Sequence, residues 1–472
     1  MVLSKLLKAQ NERLWVDENG PKAIVYSILK LTLHEKPKIR KKCRHTISSL
    51  MTSFEDKDNL KVSKVVIGWI VDQLAYFPTC EARVVTDAIS LLHFCWDSIP
   101  SISLSGAKSL FEAILRVMSS GDPSIIKIGL NFFSSALQNR TALQVYSPEN
   151  QLLSKLIAAI WEVQSDWRNN ETFIIWVRCL LCGLAASTQQ GCIQDLNYLP
   201  LLFEKLGIVW HSNQGSKVAN LMSEYLQHIL DESASHDLIT ALFKTLSRSL
   251  VIVPPNPHCL RTLEALLDSL SASHYVTTVK EVFLQLTPMQ KSSSEVVNVL
   301  GKFIRAFGVE TLWENVENSV RWVSILPLIK DNLSNANISF WKTHILSKFN
   351  SVSMEHKGLW ESLIGFCRNP ADPDNFPAEM VGKAISQHPK IRLIALSALR
   401  QFIKWAQSRP VACKYSKNFI PILLNLFLGE KEKKKEEDEV IETAGHADAI
   451  GVAIQEYLAV CEPTFINDLS EK

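Results

Sequence analysis

Glycine and proline are scarce, at 17 and 19 of 472 residues, against about 33 and 24 at average usage of about 7% and 5%. That shortage excludes collagen-like and low-complexity chains and argues against turn-rich all-β folds. Net charge is equally scant: 50 Lys and Arg against 48 Asp and Glu give a formal +2. Any attraction to a polyanion must then come from local patches. No apolar run approaches the roughly 18 to 20 residues of a bilayer span, and the best candidate, Phe173 to Ser187, carries Arg178 near its middle. No membrane partner is expected. Lys5 and Lys8 interrupt the apolar start, Met1 to Gln10, which argues against a cleavable signal. The ten cysteines fall at apolar helical positions, as expected of reduced thiols in cytosol or nucleus.

Catalytic and metal motifs are also missing. There is no His-Glu-x-x-His, no Gly-x-Ser-x-Gly and no phosphate loop; Gly301-Lys302 lacks both the upstream glycine and the following hydroxyl. Asp372-Pro373-Asp374-Asn375 begins like a calcium loop, but no glycine or closing bidentate glutamate follows. Cys179-x-x-Cys182, with Cys192 beyond, lacks the second pair that zinc requires and is flanked by Leu180, Leu181 and Leu184, which points to core packing. No catalytic residue, metal, cofactor or small-molecule substrate is expected, and the chain is read as non-enzymatic.

What is present is helical periodicity. Hydrophobic residues make up 47% of the chain and recur at helical spacing nearly throughout, which predicts an all-α fold. A short loop, often with proline, leads repeatedly into an amphipathic helix, as at Pro37, Glu81 and Pro123, with later openings near Asn170, Ser216, Asn256, Ser293 and Pro389. A period of about 40 to 47 residues is that of HEAT or armadillo hairpins, so the chain is expected to form an α-solenoid of about ten helical hairpins. Residues 1–310 are assigned to the solenoid, 311–429 to its continuation, 430–445 to a charged solvent loop and 446–472 to a terminal helix.

Two basic clusters rise above the even background. Between Lys36 and Arg44 lie Lys36, Lys38, Arg40, Lys41, Lys42 and Arg44 without an acid. Ile39, Cys43, Ile47 and Leu50 claim one helix face, throwing Arg40, Lys41, Lys42 and Arg44 onto the other. Residues 380–429 contain Lys383, Lys390, Arg392, Arg400, Lys404, Arg409, Lys414 and Lys417 and neither Asp nor Glu. Of these, Lys390, Arg392, Arg400 and Lys404 are the candidate contacts to RNA or an acidic partner. Arg392, Arg400 and Lys404 share a side of the helix after Pro389 and are expected to form an outward ridge. The alternative for Arg40 and Arg392, which hold equivalent repeat positions, is an ion pair with an acid of a neighbouring repeat.

Four segments carry a more specific likeness. Trp322 to Asn332, Leu359 to Asp372, Lys417 to Leu423 and Lys36 to Lys41 resemble signatures of the ribosomal RNA-processing protein 12 family, in order and register. The resemblance implies a HEAT-repeat scaffold of the nucleus and nucleolus. It would support ribosomal RNA processing and the maturation and export of pre-ribosomal subunits, chiefly the small one. Pre-ribosomal RNA and assembly proteins, and nuclear transport factors, are the implied partners. Family members are more than twice this long, so a short or truncated form, lacking other repeats and a basic tail, is expected. Two other readings stand beside it: a karyopherin-like nuclear transport receptor, and the HEAT scaffold of a cytosolic enzyme complex.

Overall fold

In the computed structural model, residues 20–53, 56–77, 79–99, 102–138, 148–163, 170–230, 234–269, 276–316, 322–348, 356–436 and 441–461 are described. The start from Met1 to Gln10, the end beyond Cys461 and residues 437–440 of the charged run lie outside them. Among the described residues there is no strand. They divide into two compact units, Met1–Thr245 and Leu246–Lys472.

The first unit contains α1 (Pro21–Leu31), α2 (Pro37–Ser53), α3 (Asp56–Ala75), α4 (Ala82–Cys95), α5 (Leu104–Met118), α6 (Pro123–Gln138), α7 (Leu152–Glu162), α8 (Asn170–Gln190), α9 (Tyr198–Val209), α10 (Gly215–Ile229) and most of α11 (His236–Ser249). Each even-numbered helix packs on the next even one from α2 to α10, and α1, α3, α5 and α7 form the parallel row behind them. That alternation makes two layers of antiparallel hairpins, because one hairpin cannot cover its own apolar face. Proline at the first position starts α1, α2 and α6, where its missing N–H has no helical acceptor to lose. The core between the layers takes large aromatics whole, with Trp96, Trp176, Trp210, Phe132 and Phe133 essentially inaccessible.

The second unit continues with α12 (Pro257–Asp268), α13 (Val276–Leu286), α14 (Ser294–Phe307), α15 (Val309–Val316), α16 (Trp322–Asn332), α17 (Ile338–Phe340, running on as a π-helix over Trp341–Leu346), α18 (Lys357–Phe366), α19 (Ala378–Gln387), α20 (Pro389–Lys404), α21 (Arg409–Lys414), α22 (Ser416–Glu436) and α23 (Ile441–Leu458). Here α12, α14, α16, α18 and α20 stack in sequence and α23 closes on α20. The Asn256 side chain accepts from the N–H groups of His258 and Cys259, and Ser293 from that of Val296, capping α12 and α14.

Two expectations need correction. The sequence predicts a charged loop at 430–445, whereas α22 continues to Glu436 and α23 already starts at Ile441. Glu and Lys are good helix formers, and a run without apolar residues can extend a helix into solvent as readily as it can form a loop. Conversely, the stretch Glu171–Gln190 is long and apolar enough, by length and composition alone, to cross a membrane. Its apolar window is 72% buried inside the unit, with Trp176, Val177, Leu180, Leu181 and Leu184 in the core; its apolarity serves packing. Cys179 and Cys182 belong to that same buried face, and burial pushes the Cys182 thiol up to about 11.

Candidate nucleic-acid interface

The first basic cluster separates into two populations. Arg40 and Arg44, one turn apart on α2, both reach Asp87 of α4, with Nε to Oδ1 at 3.4 Å and Nη2 to Oδ1 at 2.7 Å. Arg83 of α4 approaches Asp87 Oδ2 at 3.8 Å. Arg40 also donates from Nη1 to the carbonyls of His34 and Glu35, both at 2.9 Å. Three guanidinium groups thus surround one carboxylate whose side chain is 12% exposed, while Arg40 also seals the turn before α2. The planar fork of arginine suits this bridging between repeats. Lys36, Lys38, Lys41 and Lys42 stay exposed. They stand over an arginine cluster whose positive charge Asp87 only partly cancels.

The second cluster is more altered. Arg392 is buried, at 7% exposure, and its Nε donates to the Ile385 carbonyl at 2.8 Å. Arg400 grips Glu456 of α23 with Nε to Oε2 at 2.5 Å and Nη2 to Oε1 at 2.8 Å. Of the three residues of the expected outward ridge, Lys404 alone is exposed; Lys390, the remaining candidate contact, is exposed as well. Sequence missed this because the acid that occupies Arg400 lies 56 residues away, outside the acid-free window.

Hydrogen bonds from Arg400 hold the Glu456 carboxyl below the usual glutamate range, and the charges of Arg400 and Lys404 act in the same direction. A depressed folded value contributes stability that is present above the ordinary glutamate value of about 4.3 and lost as pH falls through the lower folded one. Glu456→Gln is expected to lower the stability of the second unit by about 1 kcal/mol at neutral pH, and by nothing below that window. Urea unfolding of both proteins at neutral and at strongly acidic pH measures it; an equal deficit at both would show that the carboxylate charge is irrelevant.

The segments read as family signatures fall into the same two kinds. Trp322 to Asn332 and Leu359 to Asp372 interlock adjacent repeats. Arg368 donates to the carbonyls of Lys330 and Leu333 at 2.8 and 3.3 Å. Asp372 caps α17, accepting from Ile338 N at 2.5 Å and Ser339 N at 3.0 Å, which explains an acidic loop that only superficially resembles a calcium site. Lys36 to Lys41 and Lys417 to Leu423 instead open helices whose first turn exposes lysine.

Two layers of stacked hairpins with period-spaced arginine links define an α-solenoid of the HEAT/armadillo type. In sequence the chain is similar to proteins named for ribosomal RNA processing. Human RRP12-like protein is 22% identical over 542 aligned residues that take in 100% of this chain and 40% of the relative. Ribosomal RNA-processing protein 12 of Saccharomyces cerevisiae is 22% identical, over 80% of this chain and 37% of its own. The chain spans about 40% of the length of the human relative. A solved structure of Kap121p bound to Nup53p aligns with 97% of this chain and 51% of its own, at 10% identity and a TM-score of 0.47. No protein-family model matches.

Proposed function

We propose that the chain is a non-catalytic scaffold in ribosome biogenesis, acting in the nucleus and nucleolus. It supports ribosomal RNA processing and the maturation and export of pre-ribosomal subunits, chiefly the small one. The observation that carries this reading is the similarity running through the whole chain to proteins named for ribosomal RNA processing. Pre-ribosomal RNA and assembly proteins are the proposed partners, with nuclear transport factors as further ones.

The arginines of α2 and α20 hold repeats together, and the lysines beside them hold phosphate. Lys36, Lys38, Lys41 and Lys42 present four ammonium groups within two helical turns, backed by Arg40 and Arg44. Lys390 and Lys404 contribute on the second unit. Such contacts position a nucleic acid without reading its bases, so affinity falls with salt and sequence preference is weak. Arg392 and Arg400 act indirectly, by fixing α20 in place. Density-gradient sedimentation of the tagged chain tests the reading: it should travel with small-subunit precursors and precursor RNA. A chain that remains at the top of the gradient, or travels only with soluble transport complexes, would overturn it.

A further inference from the structure

A cavity lies in the second unit, where α20 ends, α21 crosses and α22 begins. It encloses about 590 Å³ and is lined by Arg409, Cys413, Lys414, Ser416, Lys417 and Cys461, among others. That volume falls within the roughly 300–1,000 Å³ of ordinary ligand sites. Arg409, Lys414 and Lys417 are all exposed along its walls. Among the described residues, only Lys414 of the three has an acid within ion-pair distance, Asp374 at 3.7 Å, and both partners there are more than two-thirds exposed. The contrast with Arg392 and Arg400, consumed by the fold, is direct.

The walls are fixed from behind. The Tyr457 hydroxyl donates to the Ala412 carbonyl at 2.6 Å, the Cys413 thiol to the Val460 carbonyl at 2.9 Å, and Gln407 Nε2 to the Pro370 carbonyl at 2.6 Å. A short helix would otherwise be loosely held, and these bonds preset its charges before a ligand arrives. Trp405, which directly precedes the lining Ala406 and is not itself part of the wall, is 36% exposed. Among the described residues the six largest fully buried side chains are all tryptophans, so a partly accessible indole one residue from the wall of a basic cavity is out of keeping with how this fold uses that residue.

We propose that this cavity is a binding site for single-stranded RNA, with backbone phosphates among Arg409, Lys414 and Lys417, Lys404 at its approach and one base stacked on Trp405. An indole face beside clustered cations is the pairing by which proteins hold unpaired strands with little sequence preference. A phosphorylated peptide would use the cations and leave the indole idle. The site rests on the RNA-binding reading above and adds to it a strand type and a place.

Binding of a labelled oligouridine about 12 nucleotides long to the full chain, titrated across salt, tests it. Trp405→Ala should weaken binding roughly 5- to 150-fold at constant salt slope, the contribution of one stacked base. Combining Arg409→Ala, Lys414→Ala and Lys417→Ala should flatten the slope of log affinity against log salt by about 2, near 0.7 per contact. The cation variant alters exposed side chains and should keep the wild-type melting temperature; because Trp405 is about two-thirds covered, Trp405→Leu, which keeps apolar bulk without an aromatic face, is measured beside Trp405→Ala, and circular dichroism separates lost stacking from lost packing. If binding persists unchanged in the Trp405 and cation variants but is lost when Lys36, Lys38, Lys41 and Lys42 become alanine, this site is refuted and the RNA reading stands. If the wild type does not bind the oligonucleotide, both fall. A phosphoserine peptide bound with dependence on the three cations and indifference to Trp405 would assign the cavity to phosphoprotein instead.

Discussion

Trp360→Ala is expected to destabilise the second unit by about 3–5 kcal/mol, the cost of deleting a buried aromatic side chain and leaving its cavity. Trp360 is 0% exposed and lies on α18 with Leu359, Leu363 and Phe366, of which none exceeds 1%. Phe366 stacks on Phe340 of α17 at 6.4 Å between ring centroids, so Phe366→Ala should fall in the same range. The reason so little can relax is Gly365. A Cβ there would overlap the backbone carbonyl oxygen of Ile329 in α16, and a backbone obstacle cannot swing aside. Gly365→Ala should therefore cost at least the 1–3 kcal/mol of an overpacked core. Urea unfolding followed by circular dichroism reads all three. Wild-type midpoints would show that α16 and α18 touch less closely than their packing requires.

Asp87→Ala should cost about 2–4 kcal/mol in the first unit. Removing one partner of a largely desolvated ion pair strands the others, and here it strands Arg40 and Arg44, whose side chains are only 19% and 21% exposed. The estimate sits slightly below that for fully buried pairs because water reaches part of both guanidiniums. Asp87→Asn keeps the shape and an acceptor for Arg44 and should cost less. The same variants raise the local positive charge by one, so they should bind RNA more tightly at low salt while melting earlier. Opposite shifts in affinity and stability separate a structural carboxylate from one that contacts the partner. Unchanged melting with unchanged binding would place Asp87 outside both roles.

The repeat was legible because it is written in spacing. Helix starts at Pro37, Ala82 and Pro123 fall within a residue of the openings read from sequence, since proline and apolar period both act locally. Which basic residues remain available was less legible, because neutralisation acts between repeats. Arg44 and Asp87 are 43 residues apart, close to one period, so a search for acids one repeat downstream of each arginine would have found that link. Arg400 and Glu456 span 56 residues, with a charged helical extension intervening, and no period announces them. Arg392 turns to a backbone carbonyl, which leaves no mark in composition. Trp405 was concealed by a sound rule, since nearly every other tryptophan among the described residues packs inward. The cavity beside it arises only where α21 meets α22, a junction of a few residues too short to carry a periodic signal.

The division of labour between arginines that join repeats and lysines that hold phosphate is tested most directly by gradient sedimentation across a salt series. The wild-type chain is compared with one in which Lys36, Lys38, Lys41 and Lys42 are alanine. The wild type should travel with small-subunit precursor RNA, and the variant, with an unchanged melting temperature, should leave the particles at distinctly lower salt, its dependence flatter by about 3 for four lost contacts. Identical release profiles, or a variant that melts early, would contradict the account.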